Sequence, residues 1–112
     1  MPISATAKST GKSARKLGRI LDLVRGKSVD EALKTLEFLS STAATRVAKV
    51  VRSASANAEN ELVARSSDLE IVEAYANEAT PAKRMRARAR GRSAKITRPN
   101  SHLTVVVDEK EL

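Results

Sequence analysis

The chain begins PISATAKS, in which Ile3, Ala5 and Ala7 alternate with polar neighbours, the period of a short half-buried strand. The period then lengthens. In SARKLGRILDLVRGK, residues Leu17, Ile20, Leu21 and Val24 recur on one helical face, Ser13 suits the N-cap, and Gly26 suits the position past the end. A second helix opens with the capping box Ser28-x-x-Glu31 and offers Val29, Ala32, Leu33 and Leu36 to a core. A third starts near Ser41, and its stripe of Ala44, Val47, Ala48, Val51, Ala54, Ala58 and Leu62 carries it to about residue 63. After RSSD, a turn-like cluster, LEIVEAYANE alternates first on Leu69 and Ile71, then on Ala74 and Ala76, as a bulged strand does. SHLTVVV is rich in β-branched residues and predicts the last strand. The expected class is α+β: three helices packed on one face of a small three-stranded antiparallel sheet, in a single domain spanning residues 1–112.

Residues 79–100 do not fit that core. Their only large apolar side chains are Met85 and Ile96, yet the segment lies between two predicted strands. Its centre, RMRARARGR, places arginine at positions 84, 86, 88, 90 and 92. On a helix, residues two apart scatter around the cylinder, so a long projecting basic β-hairpin is the economical reading. A two-residue turn at Arg90-Gly91 sets Met85 opposite Ile96, Ala87 opposite Ala94 and Ala89 opposite Arg92. The other side then holds Arg84, Arg86 and Arg88 facing Thr97, Lys95 and Ser93. Arg86 opposite Lys95 is an unfavourable like-charge pair, and a bare two-stranded ribbon is marginal in water. The arm is therefore expected to order only against a polyanion. The bland alternative, a disordered basic loop, sits poorly with the strands on either side.

Charge sharpens this picture. The 112 residues carry a net charge of +8, unevenly spread. Residues 1–29 hold seven Lys/Arg and one acid, residues 30–80 hold five bases and nine acids, and residues 81–99 hold eight bases and no acid. Two basic segments flanking an acidic middle point to a polyanion met at particular surfaces. The candidate contacts on the arm are Lys83, Arg84, Arg86, Arg88, Arg90, Arg92, Lys95 and Arg98. Arginine over lysine favours planar, forked contact with phosphates. The first helix adds Arg15, Lys16 and Arg19 away from its apolar face. With one Tyr, one Phe and no Trp, the chain lacks the aromatic platform that stacks unpaired bases. Recognition is expected to rest on the backbone and shape of a folded RNA.

Other chemistries find little support. Absence of cysteine removes disulfides, thiolate catalysis and Cys-ligated zinc. The lone histidine, His102, neighbours Ser101, but adjacent strand residues point to opposite faces and cannot pair as base and nucleophile. Four glycines form no phosphate loop, and the carboxylates lack partners at metal-ligand spacing. No enzyme activity, cofactor, metal or small-molecule substrate is expected. No apolar run spans a membrane, and the start lacks a signal-peptide h-region, so an intracellular protein is expected. A DNA-architectural protein with basic β-arms is the alternative. Such arms carry an apolar or proline wedge at the tip, and residues 87–95 offer none. A membrane-surface module would need a Trp/Phe/Leu face, which is also missing.

Taken jointly, RILDLVRGKSVDEALKTLEF, SASANAEN, KRMRARARGR and SHLTVVV occur in an order and spacing that resembles one family: the large-ribosomal-subunit proteins numbered twenty-two, in their bacterial form. The resemblance runs from about Ser13 to Val107. It implies a structural protein of the cytoplasmic ribosome that binds large-subunit ribosomal RNA, aids assembly, and lines the polypeptide exit tunnel with its hairpin. Implied partners are that RNA, neighbouring large-subunit proteins and the nascent peptide. Matching positions are Lys83, Arg84, Arg88, Arg90, Gly91 and Arg92 on the arm, and Ser13, Arg15, Lys16, Arg25, Gly26 and Lys27 around the first helix. Asn57, Glu59 and Asn60 match the third helix, and Ser101 and His102 the base of the returning strand. Departures fall at Ala79-Thr80, where Gly-Pro is usual, at Ala87, where proline is common, and at Pro99-Asn100. They bear on the base angle and local bend of the hairpin.

Overall fold

The computed structural model describes residues 2–8, 10–62, 65 and 68–109. Strand β1 (Ile3–Ala7) leads into α1 (Ala14–Asp22), α2 (Val29–Glu37) and α3 (Thr42–Leu62). Then follow β2 (Leu69–Glu78), β3 (Ala82–Ala87), β4 (Ser93–Arg98) and β5 (Ser101–Glu109). Strand β5 is the centre of a three-stranded antiparallel sheet ordered β1-β5-β2, whereas β3 and β4 pair separately as a two-stranded antiparallel sheet. Ser66 and Ser67, inside the expected RSSD turn, and residue 63, the expected end of the third helix, lie outside the described residues.

Local chemistry starts each helix. The Ser13 hydroxyl accepts the Lys16 N–H at 3.2 Å, and the Ser28 hydroxyl accepts the Glu31 N–H at 3.3 Å. Ser41 does the same for Ala43 at 3.2 Å. Helix α1 ends at Asp22, and three turn residues later Gly26 takes a left-handed φ of 78°. That conformation lets the Gly26 N–H reach the Ile71 carbonyl at 3.0 Å, while the Ile71 N–H donates to Lys27 at 2.9 Å. The link between α1 and α2 is thereby laced to the free edge of β2.

Burial follows the two periods in the sequence. Leu17, Leu21 and Val24, then Val29, Ala32 and Leu36, then Val47, Val51, Ala54 and Ala58 turn inward from the helices. They meet Leu103, Val105 and Val107 of β5 and Leu69, Ile71 and Ala74 of β2. A bulge between Ile71 and Glu73 shifts the phase, so residues on both sides of it face the core. Helix α3 lies against β1 and β5, and α1 lies against β2, which leaves the sheet's other face open. Alanines in α3 permit the close approach that this core requires, since the chain's one Tyr and one Phe, Tyr75 and Phe38, are both exposed.

Candidate nucleic-acid interface

Strands β3 and β4 pair Ala82 with Arg98, Lys83 with Thr97, Arg84 with Ile96, Met85 with Lys95, Arg86 with Ala94 and Ala87 with Ser93. This corrects the expected register by one residue. Residues Ala89–Gly91 form a three-residue loop, closed by a hydrogen bond from the Arg88 N–H to the Arg92 carbonyl. Arg90 (φ 63°) and Gly91 (φ 71°) are both left-handed, so the reversal begins one residue before the assumed turn. Met85 and Ile96 therefore do not face each other, nor do Arg86 and Lys95.

The corrected register sorts the charges. Side chains alternate along a strand, so Arg84 and Arg86 share a face with Ile96 and Ala94 of the partner strand. Lys83, Met85, Lys95, Ser93 and Thr97 share the opposite face. Each strand arginine thus neighbours an apolar side chain rather than a cation. Ile96 and Ala94 are half-buried, whereas Met85 is 65% exposed. Arg84 and Arg86, paired with Ile96 and Ala94 on that face, have the stems placed to cover them. Lys83, Arg84, Arg86, Arg88, Arg90, Gly91, Arg92, Lys95 and Arg98 are all exposed.

The base of the ribbon is tied down. The Asn100 side-chain oxygen accepts the N–H of Gly11 at 2.8 Å and that of Ser101 at 2.9 Å, and the Asn100 carbonyl accepts the Ala79 N–H at 3.0 Å. Ser101 is fully buried; its hydroxyl donates to the Lys12 carbonyl at 2.7 Å and meets the Thr10 hydroxyl at 3.1 Å. Ser101 therefore acts inside the protein, holding the loop before α1 against β5. His102 lies on the open face of the sheet, opposite Asn77 and half-buried. A cleft of about 550 Å³ lined by Ser13, Arg15, Pro81, Thr97 and Pro99 joins the start of α1 to the ribbon, so these two predicted basic regions are neighbours.

On α1, Arg15, Lys16 and Arg19 are exposed. Arg25 is already engaged: its Nε donates to the Ala74 carbonyl at 2.7 Å and a terminal nitrogen ion-pairs with Asp22. Lys27 is half-buried beside the edge of β2. Three further cations, Lys8, Arg46 and Lys49, gather between the end of β1 and the start of α3. Segment-by-segment charge hid the last two, because they lie in the net-acidic middle of the chain; their three-residue spacing on a helix was the available signal.

Comparison with known proteins agrees with this architecture. Residues 5–108 match the family described as ribosomal protein L22p/L17e. The large ribosomal subunit protein uL22 of Dehalococcoides mccartyi strain BAV1 is 50% identical over 107 residues, covering 96% of this chain and 98% of the relative. The protein of the same name from Clostridioides difficile strain 630 is 49% identical over 111 residues, covering 99% and 100%. That from Latilactobacillus sakei strain 23K is 46% identical over 108 residues, covering 96% and 92%. With a match across nearly all of its length, the chain belongs to the ribosomal protein L22p/L17e family and is a structural ribosomal protein, not an enzyme.

Proposed function

We propose that this chain is a constituent of the large ribosomal subunit that binds large-subunit ribosomal RNA, aids its assembly, and lines the exit tunnel with residues 79–100 acting as a projecting hairpin. The carrying observation is the arginine row on one face of the ribbon, with Arg88, Arg90 and Arg92 at the tip. Guanidinium groups fork onto phosphates, and RNA phosphates relieve the crowding of like charge. The described chain measures 66 × 26 × 17 Å, long enough in one direction for an arm to reach away from the body. The opposite ribbon face, with Met85, Ala87, Ser93 and Thr97 beside only two cations, Lys83 and Lys95, is the side suited to the nascent peptide. Exposed Arg15, Lys16 and Arg19 add RNA contacts from α1, His102 adds one at the base of the ribbon, and Lys27 another at the far end of β2. Names of the relatives, all large-subunit proteins, support the same placement and neighbouring ribosomal proteins as partners.

Chemical footprinting of large-subunit ribosomal RNA tests this reading. The native chain protects a set of nucleotides, and an Arg84→Ala/Arg86→Ala/Arg88→Ala variant loses part of that set. An identical footprint from the two proteins refutes the role of the ribbon.

A further inference from the structure

We infer that the open face of the three-stranded sheet, at the end away from the ribbon, docks a cationic segment of a neighbouring protein. Rows of paired residues cross that face: Thr6, Thr104 and Tyr75 form one, and Ser4, Val106 and Glu73 the next. The bulge adds Val72 to the second row, because Val72 and Glu73 together oppose Val106. Glu70 opposite Asp108 ends the face. An antiparallel sheet with one solvated side carries polar residues there. This face departs from that rule, since Val72 and Tyr75 are exposed beside half-buried Val106. Helices α1 and α3 pack on the other side of the sheet.

Charge says what covers these apolar side chains. In a chain of net charge +8, the three strands carry five carboxylates, Glu70, Glu73, Glu78, Asp108 and Glu109, and neither lysine nor arginine. Arg25 and Lys27 border the face from the loop along β2, and Arg25 is already engaged by Asp22 and the Ala74 carbonyl. Phosphates are repelled here, whereas lysine or arginine of a partner is attracted. Proteins gathered on one RNA are cationic for the same reason this chain is, so a neighbour in the particle supplies that charge. The middle of the face is ready to be covered. The Thr6 and Thr104 hydroxyls meet at 3.1 Å, so each keeps a partner when water is excluded. Tyr75 offers an apolar ring with a hydroxyl at its rim, the kind of side chain enriched where proteins meet. A segment with an apolar strip over Val72, Tyr75 and Val106 and cations over Glu70, Glu73 and Asp108 fits both features. His102 and Asn77, at the ribbon end, are left to RNA.

This inference rests on the chain being a constituent of the large subunit, and one experiment reads the two separately. The chain has no cysteine, so Ser4→Cys, exposed on the open face, takes a benzophenone tether without competing thiols. The labelled full chain is assembled into large subunits and illuminated, and the product is identified by mass spectrometry. A segment of another protein, rich in lysine or arginine and bearing apolar residues, is the expected product. Adding Glu70→Lys/Glu73→Lys to the labelled chain is expected to lower that yield at least about tenfold, and Val72→Ser to lower it with the charge unaltered. Melting curves check the fold of both variants, and their entry into subunits is expected to match that of the parent chain. Crosslinking to RNA, to a second copy of this chain or to an acidic segment overturns the docking face and leaves the ribosomal reading standing. So does no crosslink from a chain that has entered subunits, or a yield that neither variant lowers. A chain that never enters subunits overturns both.

Discussion

Single residues hold the ribbon's two ends. At the tip, Gly91 has φ 71°, where a Cβ meets no neighbour in space but strains the backbone. Gly91→Ala is expected to cost about 1–2 kcal/mol locally. Because the ribbon contributes nothing to the core, the melting temperature should stay where it is while the amides near residues 88–92 exchange faster. At the base the balance differs. Asn100→Ala removes acceptors for the Gly11 and Ser101 N–H groups, and the change should lower global stability by about 1–3 kcal/mol in urea titration. The Asn100 side chain is thus the tie between loop, strand and arm. Nothing in the alternation of apolar positions announced that role, since it depends on an amide meeting a glycine 89 positions away.

Elements were largely legible because helix and sheet here obey their own periods. The three capping serines and the stripe from Ala44 to Ala58 each fall where spacing placed them, and the bulge in β2 is visible as a shift from odd Leu69 and Ile71 to even Ala74 and Ala76. Ser28→Ala is accordingly expected to destabilise the protein by about 1 kcal/mol, read as a lower urea midpoint with an unchanged slope. The ribbon's register was the element sequence could not fix. Arg90 takes a left-handed conformation that only the fold of the loop imposes, so a count based on the Arg-Gly pair fell one residue short. The corrected pairing removes the Arg86–Lys95 clash but keeps Arg84, Arg86 and the tip arginines crowded. Amides of residues 84–98 are expected to exchange rapidly in the free protein at low salt and to slow on adding RNA. Strong protection without RNA would show that the ribbon needs no partner to order.

At the scale of the molecule, the net charge of +8 is organised as surfaces rather than as segments. The ribbon's cations were readable from residues 81–99, but the groove formed by Lys8, Arg46 and Lys49 required the fold to bring an N-terminal strand beside a helix from the acidic middle. If all eight Lys/Arg of the ribbon segment meet single-stranded phosphates, their share of the log–log salt slope approaches about −6. Titrating binding from low to high salt checks it, and a slope near zero would mean that the charge is ornamental to binding.

The ribbon's two legs also have mechanical meaning. They are the direct continuations of β2 and β5, joined through residues 79–81 on one side and 99–100 on the other, with Pro81 and Pro99 stiffening the joints. Strand β5 is hydrogen-bonded on both edges. If the ribbon projects as proposed, it is a cantilever with one leg rooted in the central strand, and a sideways push on its tip passes in part to a strand held on both sides.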